Sequence, residues 1–137
     1  MYRRREPAMK YLLLVCLEEP PEPALETPDE IARWDVEGDD IKPWLAETAE
    51  HGTRVFGSQV SKPANAATVR VRSGDVVVSD GPYAETKEWM AGFDVIECAD
   101  MEEAIEIAAK HPVAQFGMIE VRPFRPGTGR AGRVSST

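Results

Sequence analysis

Hydrophobic and polar positions change period along this chain, and each change marks an element. Tyr11 to Leu17 is apolar at every position, the pattern of a central strand covered on both faces. Ile41, Trp44, Leu45 and Thr48 follow the i, i+3, i+4, i+7 spacing of a helix with one buried stripe. Asp39 or Asp40 caps this helix, Pro43 is tolerated in its first turn, and Gly52 ends it. Thr53 to Val60 then reads as a strand. Ala66 to Arg72 alternates apolar and charged residues, Ser73-Gly74-Asp75 turns, and Val76 to Ser79 returns, which makes a β-hairpin. Phe93 to Cys98 is another strand. Asp100-Met101-Glu102-Glu103 is a capping box that opens a second helix, with Met101, Ala104, Ile105 and Ala108 as its expected buried stripe and Pro112 as its stop. Phe116 to Arg122 is the last strand, closed by Pro123.

With the hairpin set aside, the order is βαββαβ, the ferredoxin-like α+β plan. Two helices cover one face of an antiparallel sheet. Leu12 to Val15 and Val76 to Val78 offer apolar residues to both faces. The second face is therefore expected to pack on another copy, giving a homodimer with an interface above about 1,200 Å².

The ends and one internal stretch depart from this pattern. Residues 1–8 read as a disordered leader, 9–126 as the domain and 127–137 as a Gly-, Ser- and Arg-containing disordered tail. Residues 18–40 hold ten acids, one base, and prolines at 20, 21, 23 and 28. Thr27-Pro28-Asp29-Glu30 starts a short helix that runs to about residue 35, with Ile31 and Trp34 on one side.

Charge narrows the function. The 137 residues carry a net charge of −8, and residues 9–124 alone carry −13. Such a domain repels phosphate backbones, so nucleic acid is not expected as a partner. No apolar run approaches the roughly 20 residues of a membrane span, so no membrane partner is expected. Arg3, Arg4, Arg5 and Lys10 precede the apolar run, but Glu18, Glu19 and Pro20 follow it in place of a cleavage site. The acidic surface reads as that of a soluble cytoplasmic protein. Cys16 and Cys98 lie in expected strands, as buried thiols of a reducing compartment. His51 and His111 are the two histidines, and no Cys/His cluster has ligand spacing. No dinucleotide fingerprint or P-loop occurs, so any reaction is expected to be cofactor-free.

Two segments carry candidate chemistry: Asp80-Gly81-Pro82-Tyr83-Ala84-Glu85-Thr86-Lys87-Glu88 and Lys110-His111-Pro112. The first resembles the DGPF signature of the YCII-related family, with Tyr83 where Phe is usual. Met9 to Leu14, Thr68 to Arg72, Gly92-Phe93 and Glu120-Val121-Arg122-Pro123 add to the resemblance, which covers roughly residues 9–126. It implies a ferredoxin-like fold in a dimeric α+β barrel. The family includes a dehydrochlorinase of aromatic breakdown, and some members are associated with extracytoplasmic-function sigma factors. One branch has a proposed His/Asp pair whose His lies near the first helix. Residues 18–50 hold no His here, so that pair does not carry over.

The residues themselves suggest a cleft. Gly81 and Pro82 make a tight turn that holds Asp80 at a strand end and turns Tyr83 inward. Glu85 and Lys87 face one cleft or pair with each other, and Trp89 is a candidate aromatic wall. His111 ends the second helix, where the macrodipole favours its protonated form. If Asp80 and His111 meet, they form an acid–base pair, with Gly81, Pro82, Tyr83, Glu85, Lys87 and Trp89 around a small organic ligand. The expected chemistry is lyase- or isomerase-like. The alternative is a non-catalytic partner or sensor module, linked to sigma-factor-dependent transcription.

Overall fold

The computed structural model describes residues 8–18, 41–81 and 88–126 of the chain. Its elements run β1 (Met9–Leu17), α1 (Lys42–Glu50), β2 (Arg54–Gln59), β3 (Ala67–Arg72), β4 (Asp75–Asp80), β5 (Trp89–Cys98), α2 (Met101–Ala109) and β6 (Met118–Pro123). The short helix expected from residue 28, the Asp39 or Asp40 cap, residues 1–7 and the tail lie outside the described residues.

Four strands form one antiparallel sheet in the order β2-β5-β1-β6. With both helices placed between strands that are not neighbours, this is the ferredoxin-like α+β arrangement. β1 is central because it is apolar throughout. Tyr11, Leu13 and Val15 are buried on the face that the helices cover, opposite Ile96, Asp94 and Gly92 of β5. Leu12, Leu14 and Cys16 take the other face and are half-buried. Cys98 pairs with Met9 at one end of β1, and Cys16 pairs with Met118 at the other, so both thiols stay free. Burial pushes the Cys98 thiol up to about 11.

Tyr11, Leu13, Ile96 and Cys98 from the sheet pack with Trp44, Ala104, Ile107 and Ala108 from the helices. The Trp44 indole Nε1–H donates to the Ile107 carbonyl at 2.9 Å and locks α1 against α2. Gly52, at φ +65, turns the chain out of α1. The Thr53 N–H then donates to the Thr48 carbonyl, and its hydroxyl is buried without a partner among the described residues. Asp100 caps α2 as its spacing predicts, accepting from the Glu103 N–H at 2.9 Å, while the Glu103 carboxylate accepts from the Ala99 N–H at 2.8 Å.

Two expectations are corrected. The buried stripe of α2 is Glu103, Ala104, Ile107 and Ala108, and Met101 and Ile105 face solvent. The capping bond draws Glu103 inward and rolls the helix by about one position. The second correction concerns Val76 to Val78. They belong to a separate two-stranded sheet, β3–β4, and not to either face of the main sheet. Every residue of β4 is exposed. Ser73 and Gly74 form the hairpin turn with φ +53 and +82, the conformation a tight two-residue connection needs.

Element lengths decide where the site falls. Nine helical residues span about 14 Å, whereas ten strand residues span about 33 Å. Each helix is therefore less than half as long as β5. The turn of residues 112–115 extends the cover over β1 and β6, where Gly117 meets Cys16, Leu17 and Val113 so closely that a Cβ would clash.

Candidate functional site

A charged pair sits where an apolar floor would otherwise continue. Asp94 is the third inward-facing position counted back along β5, after Cys98 and Ile96, and it is only 6% exposed. Arg54, at the start of β2, donates from Nε to Asp94 Oδ1 at 2.7 Å. A register shift between Arg54 and Phe56 brings Gly57 opposite Asp94. Gly57 is required by space. A Cβ there would run into Asp94 Oδ1 and come within 2.5 Å of the Arg54 guanidinium. Burial raises the Asp94 carboxyl pKa, against the hydrogen bond and charge of Arg54, which lower it.

His111 stands just past the end of α2. It is 5% exposed and packs edge-on against Trp44, with ring centroids 4.8 Å apart. The Val113 N–H donates to its Nδ1 at 3.1 Å. An accepting Nδ1 assigns the neutral ring's proton to Nε2. Burial, and then the positive charge of Arg54, push the His111 pKa down to about 4. This overturns the expectation of a histidine charged by the helix dipole. Desolvation on a covered face outweighs a terminal dipole worth about 1 kcal/mol.

The residues expected at the site are distributed as follows. His111 is buried past the end of α2 against Trp44, where the charge of Arg54 acts on it. Asp80 ends β4 on the exposed hairpin, opposite Ala67, and the charge that acts on His111 is Arg54. Gly81 takes φ +89, as a tight turn requires, and its N–H donates to the Ala66 carbonyl at 2.6 Å. Trp89 opens β5 opposite Leu17, in register with the helix-covered face, and is half-buried. Pro82, Tyr83, Glu85 and Lys87 lie outside the described residues. His51 follows α1 as its C-terminal cap.

Arg54 and Asp94 were not expected. They are 40 positions apart, and neither belongs to a motif. A signal was present nonetheless. In Gly92-Phe93-Asp94-Val95-Ile96-Glu97-Cys98, alternation puts Asp94 on the same side as Ile96 and Cys98, and a carboxylate at such a position calls for a partner.

Among the described residues, no group of three or more His, Cys, Asp or Glu is placed to hold a metal ion. No described helix is long and apolar enough to cross a membrane.

The fold defines a ferredoxin-like α+β domain with a polar cluster on the helix-covered face. The YCII-related domain matches residues 13–127, and the chain belongs to that family. It is also 45% identical over 67 residues to an uncharacterised protein of Rhizobium meliloti (strain 1021). That match covers 45% of this chain and 54% of the relative, so the alignment spans about half the relative's length.

Proposed function

We propose that Arg54, Asp94 and His111 form the binding site of a small organic molecule and move a proton on it without a cofactor. The hydrogen-bond inventory carries this reading. Asp94 Oδ1 is engaged by Arg54 and His111 Nδ1 by Val113, while Asp94 Oδ2 and His111 Nε2 have no partner among the described residues. A carboxylate oxygen and a neutral imidazole N–H are thereby left for a ligand. Asp94 is the base and His111 the donor that stabilises negative charge developing on a ligand oxygen, a division of roles suited to isomerase- or lyase-like chemistry. Trp89, in register with the same face, supports placing the 80–89 segment at the cleft's rim. Asp80, Gly81, Pro82, Tyr83, Glu85 and Lys87 are part of this proposal.

The test is proton exchange. A panel of small oxo acids and unsaturated lactones is incubated with the protein in D₂O, and loss of the α-proton signal is followed by NMR. Exchange should be catalysed by the protein and fall at least about 100-fold in Asp94→Asn. Binding without exchange across the panel would leave the sensor module as the function.

We further propose that a second copy covers the outer face of the sheet. Leu12, Leu14, Phe93 and Val95 are half-buried there, and Phe56 is 58% exposed against Phe93 at 5.7 Å. Sedimentation equilibrium should give a dimer at micromolar concentration, and a monomer would refute this assembly.

A further inference from the structure

We infer that the ligand is a small monocarboxylate, gripped end-on by the two Nη groups of Arg54 while His111 Nε2–H donates to a neighbouring ligand oxygen. This rests on the reading of Arg54, Asp94 and His111 as a ligand site and names its chemical class.

The donor–acceptor balance of the cluster leads there. A guanidinium has five N–H groups in a fixed fork. Arg54 uses Nε–H on Asp94, and among the described residues no acceptor meets its Nη1 or Nη2. The Arg54 side chain is 27% exposed, so part of it meets solvent beside the buried Asp94. With the Nε edge held at 2.7 Å, the remaining edge is the one formed by Nη1 and Nη2, two parallel donors with the spacing of a carboxylate. The Nε2–H of His111 is a further donor without an acceptor among the described residues. Among the described residues donors outnumber acceptors here, which favours a ligand that brings oxygen atoms.

Charge selects among oxygen-rich ligands. Arg54 supplies one positive charge, already paired with the Asp94 carboxylate. Close to the cluster, His111 is a neutral ring at pH 7, because its pKa is about 4. A dianionic phosphate would face Asp94 with no second cation among these three residues. A monoanion gains the bidentate fork at smaller repulsion. Through Oδ1, Asp94 also positions the guanidinium, its Oδ2 remaining the proposed base, and Gly57 leaves the room in which the pair lies.

The test uses ¹⁵N-labelled full-length protein at pH 8, where inorganic phosphate is mainly the dianion, titrated separately with benzoate, benzamide and inorganic phosphate. The reporters are the ring resonances of His111 and the indole N–H of Trp44, which packs against it. Benzoate should shift both saturably, with benzamide and phosphate at least tenfold weaker. Arg54→Lys keeps the charge and loses the fork, and should weaken benzoate at least tenfold. Arg54→Gln with Asp94→Asn removes both charges together, leaves neither buried alone, and should do the same. Equal binding of benzamide overturns the carboxylate while leaving a small-molecule site in place. Phosphate binding as tightly as benzoate overturns the monoanion. Silence toward all three, or benzoate binding unchanged in Arg54→Lys, overturns the inference, whereas the proposed function falls only by the exchange experiment.

Discussion

The main sheet and the β3–β4 hairpin are made of the same residue types and finish differently. Leu13 and Ile96 in the sheet have no exposed surface, while Val69, Val71, Val76 and Val78 in the hairpin are each more than half exposed. Their pairings are equally regular, Leu13 with Asp94 in one and Val69 with Val78 in the other. The difference lies in the third layer. α1 and α2 cover the sheet, and a lone two-stranded ribbon has nothing to bury its apolar side against. Alternation along a strand specifies its faces and leaves open what covers them.

The comparison is tested first at its strong end. Leu13→Ala should cost about 2–5 kcal/mol in urea unfolding, because a fully buried leucine leaves a cavity. A cost below about 1 kcal/mol would show that the covered face is not a close-packed core.

The next effect comes from acid. His111 titrates at about 4 in the folded chain against an ordinary value of 6.5, so the unfolded chain takes up a proton first. Its contribution to stability is complete above pH 6.5 and is lost as pH falls toward 4, by up to about 3 kcal/mol. Asp94 works in the opposite sense. Its raised folded pKa favours the folded state in acid and costs stability as pH rises through that pKa. Unfolding curves of wild type and His111→Gln across this range should therefore differ in slope. Parallel curves would mean that the imidazole is not buried as a neutral ring.

Smaller effects follow. Asp100→Ala should remove about 1 kcal/mol by leaving the Glu103 N–H uncapped, read as a lowered Tm. Thr53→Val should be neutral or raise stability by up to about 1 kcal/mol, since its buried hydroxyl has no partner among the described residues. At the weak end, Val76→Ala should change stability by less than about 0.5 kcal/mol. A loss comparable to that of Leu13→Ala would break the comparison and mean that the hairpin is covered in solution.

What the sequence made legible follows from how local each signal was. The capping box at Asp100, the turn at Ser73-Gly74 and the apolar run of β1 are written in neighbouring residues, and each was read correctly. The expected α2 stripe of Met101, Ala104, Ile105 and Ala108 differs from the buried one because Glu103 turns inward. Its burial depends on a bond to the Ala99 N–H, which no hydrophobic pattern records. The valines of β4 were assigned to the sheet because strand character does not say which sheet a strand joins. His111 stood out as one of two histidines. Arg54 and Asp94 did not, since only the β2–β5 register brings the two together. The electrostatic sense of His111 was reversed for the same reason, because burial and a distant arginine are properties of packing.

The position of β1 has a consequence for synthesis. It is the first strand made and the innermost one placed, and Tyr11 pairs with both Ile96 and Pro123, near the far end of the domain. Closing such long loops is entropically costly, and topologies built on distant pairings fold slowly. On the ribosome, Leu12-Leu13-Leu14-Val15 emerges long before either neighbour exists. A segment apolar on both sides then waits unpaired, the situation in which nascent chains aggregate. Lys10 stands immediately before this run and Glu18 and Glu19 immediately after it, with Arg3, Arg4 and Arg5 further upstream. Charges in those places are gatekeepers: they keep the waiting strand in solution until β5 and β6 arrive to enclose it.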